Sequence, residues 1–164
     1  MAARLRIIVG ADDAGESMKN VLRDVLRADT RVAEVIDIGV NDGGLTPYAD
    51  IGHEAGVRVA RGEADRALLV CGTGMGMAMA ATKVRGVRGS VARDSFSVER
   101  LIKSNNAQVL TFGARVIGIE LAKKLASEWL DHRFDPTSPS QAKIEALNAW
   151  EDKLAGPAVS EQRG

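Results

Sequence analysis

The residues best suited to chemistry lie in a glycine-rich segment that starts at the single cysteine of the chain, Cys71. It reads Cys71-Gly-Thr-Gly-Met-Gly-Met77, between a strand-like apolar run and a helix-like run of small residues. Gly72, Gly74 and Gly76 allow backbone N–H groups to turn inward and form a concavity for an anion, which the positive end of the following helix would strengthen. A thiol there is favoured as the thiolate, a usable base or nucleophile. The alternative is a small buried residue at a strand end.

A base that faces such a concavity meets the requirement for removing a proton alpha to a carbonyl. The base takes the C–H proton, the amides hold the enediolate oxygen, and the base returns the proton to the next carbon. The hydroxyl of Thr73 could donate a further hydrogen bond to that oxygen. This chemistry needs no cofactor, and we expect none, because His53 and His132 have no partners at zinc spacing. His53 is expected at the surface, and His132 at a helix end where its charge is favourable.

The loop Gly10-Ala-Asp-Asp-Ala-Gly15 follows the first strand and resembles a dinucleotide fingerprint with a carboxylate at the middle glycine position. A carboxylate at Asp12 would repel a pyrophosphate, which argues against a nucleotide site. Adjacent carboxylates suit sugar hydroxyl groups instead. The alternative is that Asp13 caps the helix that follows.

Strand-like and helix-like segments alternate along the chain, which predicts a parallel sheet between two layers of helices. Strands are predicted at Leu5–Val9, Val32–Ile38, Ala67–Val70, Val87–Val91 and Val109–Phe112. Helices are predicted around 21–26 and at Tyr48–Arg61, Met75–Thr82, Ser95–Lys103, Gly118–Leu130 and Gln141–Leu154. The third strand is apolar without alternation, so we expect it at the centre of the sheet.

Length and composition limit the function classes. A chain of 164 residues with 45% hydrophobic residues fits one globular domain, predicted at 1–155, with a frayed tail at 156–164. Basic and acidic residues balance at 22 each, so we expect no nucleic-acid partner. A single cysteine and the absence of a signal peptide or a long apolar span predict a cytoplasmic protein without a membrane partner.

The predicted last helix carries an apolar stripe of Ile144, Leu147, Trp150 and Leu154. Such a stripe needs a cover, and the sequence leaves two possibilities open. The helix packs on its own domain or on a second subunit.

These motifs together resemble the ribose-5-phosphate isomerase B and galactose-6-phosphate isomerase family over about residues 5–153. Besides the two loops above, the resemblance rests on Ala80-Ala-Thr-Lys-Val84, Gly86-Val-Arg88, Ser104-Asn-Asn-Ala-Gln108 and Phe112-Gly-Ala-Arg-Val-Ile-Gly118. It implies a single-domain α/β protein with a Rossmann-like three-layer sandwich, a five-stranded parallel sheet and a C-terminal helix. It also implies homodimers or homotetramers with shared active sites, and cofactor-free interconversion of phosphorylated aldoses and ketoses.

The resemblance also assigns roles to residues of this chain. Cys71 would be the base, and Thr73 with the amides of the three glycines would hold the enediolate. The remaining substrate-binding residues are expected to be Asp12, Asp13, Tyr48, Met77, Ser104, Asn105, Arg115 and Lys143. Among these, Arg115 would bind the phosphate and Asp12, Tyr48 and Asn105 the sugar.

The chain departs from the family pattern in three respects. Asp13 replaces a usual histidine, Ser104 replaces the histidine credited with opening the sugar ring, and Pro139 and Lys143 stand where two phosphate-binding arginines are common. A tetrose 4-phosphate cannot form a five-membered ring, because its C4 oxygen is esterified, and so it needs no ring opener. We therefore expect conversion of D-erythrulose 4-phosphate to D-erythrose 4-phosphate. The alternatives are ribose-5-phosphate isomerisation and a non-catalytic sugar-phosphate-binding partner subunit.

Overall fold

The computed structural model describes residues 3–155, so the tail predicted at 156–164 lies outside the described residues. Within residues 3–155 the chain forms five strands and six helices. Their order is β1 Leu5–Ala11, α1 Glu16–Ala28, β2 Val32–Asp37, α2 Tyr48–Ala60, β3 Arg66–Cys71, α3 Met75–Thr82, β4 Gly89–Val91, α4 Ser95–Lys103, β5 Val109–Gly113, α5 Ile119–Asp131 and α6 Gln141–Leu154.

The five strands form one sheet in the order β2-β1-β3-β5-β4, and every pairing is parallel. β3 is central and all six of its residues are buried, which confirms the prediction from its unbroken apolar run. Ala11 pairs with Val70, and Cys71 pairs with Gly113. The loops that leave β1, β3 and β5 therefore start side by side at the carboxyl edge of the sheet.

Helices cover both faces of the sheet because successive strand residues point to opposite sides. Leu68 and Val70 of β3 pack in one apolar cluster with residues of α1, α4 and α5, including the fully buried Trp129. Leu69 and Cys71 pack in a second cluster with residues of α2 and α3, including Met77. The predicted α/β class and three-layer sandwich are confirmed.

Two strand boundaries differ from the predictions by two residues, and the others agree to within one residue. β1 continues to Ala11, since Gly10 and Ala11 pair with Leu69 and Val70 of the central strand. β4 is shorter than predicted and starts at Gly89. The N–H of Val87 bonds to the carbonyl of Val84 in a turn instead of joining the sheet.

Helix α6 is attached to the domain by one buried side chain and by polar contacts. Ile144 is buried, whereas Leu147, Trp150 and Leu154 are 52%, 62% and 83% exposed. Glu151 accepts a hydrogen bond from the N–H of Gly86 at 3.0 Å. The helix thus packs on its own domain through Ile144, and most of the predicted stripe remains open on the chain. None of the helices within residues 3–155 is long and apolar enough to cross a membrane.

Candidate active site

Cys71 ends the central strand and its side chain points toward α2 and α3. The residue is only 4% exposed. Its Sγ atom accepts a hydrogen bond from the backbone N–H of Gly74 at 3.1 Å. The sulfur therefore lies beside the amino end of α3, where unpaired N–H groups create a positive potential.

The glycine loop after Cys71 takes a conformation that requires glycine at position 74. Gly74 has φ of 82°, in the left-handed region, and a Cβ there would lie 2.9 Å from the carbonyl carbon of Phe112. The hydroxyl of Thr111 donates to the carbonyl of Gly74 at 2.6 Å. Thr73 is exposed and its Oγ1 accepts from the N–H of Met75 at 3.4 Å. Contacts with β5 thus hold the loop at Gly74, and Thr73 lies at the protein surface.

The Asp12 loop packs directly against the end of the central strand. A Cβ on Gly15 would lie 2.4 Å from the carbonyl oxygen of Val70, so only glycine allows this approach. Asp12 is half-buried, and its Oδ1 accepts from the N–H of Gly15 at 3.1 Å. Asp13 is exposed, and the cap residue of α1 is Gly15, without a side-chain cap. The alternative in which Asp13 caps this helix is therefore wrong.

Two further predicted site residues lie over the glycine loop. The ring of Tyr48 covers Gly76, since a Cβ on Gly76 would lie 2.6 Å from Cε2 of the ring. The guanidinium of Arg115 lies over Gly72, with Nη1 3.2 Å from the position of a Cβ there. The N–H of Arg115 also bonds to the carbonyl of Gly72 at 3.0 Å. None of the ion pairs within residues 3–155 includes Arg115, which leaves its charge available to an anion.

Met77 does not line the surface of this site. Its side chain is fully buried in the cluster beneath α2 and α3. It follows the glycine loop on the inward side of α3, so it supports the loop from the core. The prediction that its side chain belongs to the substrate-binding surface is wrong for this reason.

Ser104 and Asn105 lie away from Cys71 within the chain. Ser104 ends α4, which runs back from the carboxyl edge of the sheet, and Asn105 follows it. The carbonyl of Asn105 accepts from Nε of Arg88 at 3.0 Å, in the segment that leads into β4. Lys143 is exposed in the first turn of α6. Within the chain, Asp12, Tyr48 and Arg115 thus lie near the loop that follows Cys71, whereas Ser104 and Asn105 lie outside this group, and the role of Lys143 stays a prediction.

Two shallow cavities follow the edge strand β4. One of about 390 Å³ includes Thr73, Met75, Arg93 and Ser97. The other, of about 270 Å³, includes Ser90, Arg100 and Asn105, and the two cavities share Val91, Ala92 and Ser97. Arg93, which lines the first cavity together with Thr73, was not predicted from the sequence. The signal was available, because Arg93 follows a predicted strand at the edge where ligands bind in parallel sheets.

The two histidines stand outside this group. His53 is exposed, as expected. His132 follows α5 as its C-cap residue, at a helix end as expected, and burial and the charge of Lys103 lower its pKa. Within the described part of the chain no group of three or more His, Cys, Asp or Glu side chains could hold a metal ion.

The chain thus falls in the class of doubly wound α/β proteins, with a thiol, the N–H of Gly74 and an arginine near the carboxyl edge of its sheet. These groups suit proton transfer next to a carbonyl in a phosphorylated substrate. Comparison with known proteins identifies the class more closely. The chain belongs to the Ribose/Galactose Isomerase family, whose model matches residues 7–147.

Individual relatives cover nearly the whole chain. D-erythrulose-4-phosphate isomerase 2 of Mycolicibacterium smegmatis is 53% identical over 150 residues, 90% of this chain and 97% of the relative. D-erythrulose-4-phosphate isomerase of Pectobacterium atrosepticum is 39% identical over 90% of this chain and 95% of its own length. The structure of ribose-5-phosphate isomerase B from Clostridium thermocellum superimposes with a TM-score of 0.85 at 32% identity, covering 92% of this chain and 99% of that one. The resemblance expected from the motifs is confirmed.

Proposed function

We propose that this chain is a cofactor-independent isomerase that converts D-erythrulose 4-phosphate to D-erythrose 4-phosphate. The observation that carries the proposal is the position of the Cys71 sulfur, 3.1 Å from the N–H of Gly74 and beside the amino end of α3. The names of the relatives from Mycolicibacterium and Pectobacterium support the substrate. Ser104, in place of a ring-opening histidine, agrees with a substrate that is already open.

In this mechanism Cys71 moves one proton between adjacent carbons. The thiolate removes a proton from C1 of the ketose, and the electron pair forms the C1–C2 double bond of an enediolate. The glycine amides and the Thr73 hydroxyl hold the oxygen that gains charge. The thiol then returns the proton to C2 while the hydroxyl proton moves from O1 to O2, which gives the aldose without net gain or loss of atoms. Arg115 would hold the phosphate, and Asp12 and Tyr48 the hydroxyl groups.

The substrate is tested by comparing kcat/KM for four-, five- and six-carbon sugar phosphates on one preparation. We expect kcat/KM to be highest for D-erythrulose 4-phosphate. A value for ribose 5-phosphate that is at least tenfold higher would reject the tetrose substrate and favour ribose-5-phosphate isomerase, the second candidate. That candidate is supported by the likeness to the Clostridium thermocellum enzyme and by the exposed carboxylate of Asp13, available for ring opening.

We also propose that the enzyme is a homo-oligomer in which two subunits complete each site. The N–H of Ala67, near the amino end of β3, donates to the carbonyl of Gln108 at 2.9 Å, and Gln108 is close to Asn105 in the chain. Cys71 ends the same strand, about 13 Å further along. Asn105 and Lys143 would therefore reach a substrate at Cys71 from a second copy. The exposed Met75 and Met79 near the site and the exposed Trp150 on α6 are apolar surface that such an assembly could cover.

Mixing two inactive variants tests the shared site. In the proposed site, Cys71 comes from one subunit and Asn105 from the other. Cys71→Ser and Asn105→Ala each remove one of these two contributions from every site, so each variant alone should lose activity. After the two are unfolded together and refolded, mixed oligomers contain some sites with both intact halves, and activity should return. No recovery would contradict a shared site.

The free thiol that the mechanism needs is suited to a reducing compartment, and we propose the cytoplasm.

A further inference from the structure

Lys19 of α1 is a buried cation that the proposed mechanism does not use. Its side chain is completely buried. The Nζ atom donates three hydrogen bonds, to both carboxylate oxygens of Asp37 at 3.0 Å and to Oδ1 of Asn41 at 2.7 Å. All three ammonium protons therefore have hydrogen-bond acceptors, which offset the cost of burying the side chain.

Asp37, at the end of β2, connects this lysine to further groups. It accepts from Nη1 of Arg23 at 3.1 Å and from the N–H of Gly39 at 2.9 Å. Burial raises the pKa of Asp37, but these hydrogen bonds and Lys19 outweigh it and hold that pKa below its ordinary value. The carboxylate is thus ionised and fixed by four hydrogen bonds from three groups, the side chains of Lys19 and Arg23 on α1 and the N–H of Gly39 in the following loop.

The loop held in this way lies directly against the residue that precedes Asp12. The N–H of Ala11 donates to the carbonyl of Gly39 at 2.7 Å, and the N–H of Val40 donates to the carbonyl of Ala11 at 2.7 Å. The far end of the loop is held to α1, since Gly43 donates its N–H to Glu16 at 3.2 Å. Segment 39–44 therefore connects α1 to the start of the Asp12 loop. We call it the braced segment.

We propose that Lys19 is a positioning residue that holds segment 39–44, and through it Asp12, in the geometry that binds the sugar hydroxyl groups. This inference rests on the proposed function. A buried ion pair of this kind is not needed for stability alone, because apolar residues of similar size can often replace it. The ion pair holds the loop in one position. Apolar packing would specify that position less precisely. Cys71 stands on the central strand, outside the braced segment, so its chemistry should be largely independent of Lys19.

Three variants test the proposal. Lys19→Met removes the cation and keeps a long apolar side chain, and Asn41→Ala removes one bond from an exposed residue without leaving a buried charge unpaired. Lys123→Met is the matched control, a partly exposed lysine on α5 that pairs with Glu120. With D-erythrulose 4-phosphate, we expect KM to rise at least tenfold in Lys19→Met and severalfold in Asn41→Ala, with kcat changed less than threefold. The control should keep both constants.

A double variant separates positioning from stability. Lys19→Met combined with Asp37→Asn also removes the carboxylate that loses Lys19, so the unfolding free energy should recover in part relative to Lys19→Met alone. Arg23, the other cation beside Asp37, keeps its contacts with Asn20 and Asp24. The high KM should remain, because the hydrogen bonds from Lys19 that hold segment 39–44 are still absent. Amide exchange of Ala11 and Val40 should be faster than in the wild type for both proteins.

The outcomes distinguish this inference from the proposed function. An active wild type whose KM is unchanged in Lys19→Met and Asn41→Ala overturns the inference alone. A KM that recovers together with stability in the double variant also overturns it, because the role of Lys19 would then be structural. A wild type that isomerises none of the sugar phosphates rejects the proposed function, and this inference with it.

Discussion

The aromatic ring of Tyr48 lies so close to Gly76 that a Cβ at Gly76 would be 2.6 Å from Cε2 of the ring. This contact joins the start of α2 to the glycine loop at the amino end of α3. A methyl group at position 76 must therefore displace the ring or the loop, and either movement changes the surface that faces the substrate.

Gly76→Ala should lower kcat/KM by about a hundredfold, since small displacements of positioning groups have effects of that size. Gly118→Ala is the matched control, because no atom lies within 4 Å of the position of its Cβ. Steady-state kinetics of both variants check the prediction. Equal kinetics in the two would contradict a role for the Tyr48 contact.

Cys71→Ser should lower kcat by about a thousandfold, because a serine hydroxyl is a much weaker base than a thiolate. The side chain is nearly isosteric, so the melting temperature should change little. The measurement is exchange of the alpha proton with deuterated water, followed by NMR during turnover. Exchange at the wild-type rate in the variant would show that another group is the base, or that the protein binds sugar phosphates without Cys71 chemistry.

Arg115→Met should raise KM for the phosphorylated substrate by about tenfold to a hundredfold, the range for losing a charge-assisted hydrogen bond. Turnover of unphosphorylated D-erythrulose, where measurable, should not change. Arg85→Met is a suitable control, since Arg85 is exposed and paired with Asp152 of α6. If both sugars lose activity to the same extent, Arg115 does not recognise the phosphate.

Acid should weaken the fold partly through Asp65. The hydrogen bond from Arg6 is the main cause that lowers the pKa of Asp65, outweighing the opposite effect of burial. A carboxyl group with a lower pKa in the folded state contributes stability above its unfolded pKa, about 3.9, and this contribution is lost as the pH falls through the folded value. In Asp65→Asn the unfolding free energy should therefore decline less steeply below about pH 5. Urea titrations across this pH range provide the test, and Arg6→Met should show the same flattening if the pair is responsible.

The order of the elements and the place of the central strand could be predicted from the sequence because both depend on local patterns. The run Ala67–Val70 has no polar residue to turn toward solvent, so it had to lie between two layers of helices. The glycine spacing after Cys71 was equally informative, because a positive φ at Gly74 and the contacts at Gly76 exclude side chains there.

Side-chain direction was harder to predict. Met77 belongs to the same glycine-rich motif as Thr73, yet one is buried in the core and the other is exposed. Lys19 shares a helical face with Leu22 and Leu26, and a lysine at such a position usually extends to solvent. Its burial became possible only because Asp37 and Asn41, distant in sequence, supply oxygen acceptors.

The sequence by itself determined the family, the order of strands and helices, and the residue types for proton transfer, because these follow from local periodicity and from motifs read along the chain. Only the tertiary structure decided which of those residues meet. Cys71, Asp12, Tyr48 and Arg115 come together at one edge of the sheet, while Asn105 lies apart from them. The physical reason is that strand direction and crossover helices assign each loop to one edge of the sheet, and this assignment depends on pairing between distant segments.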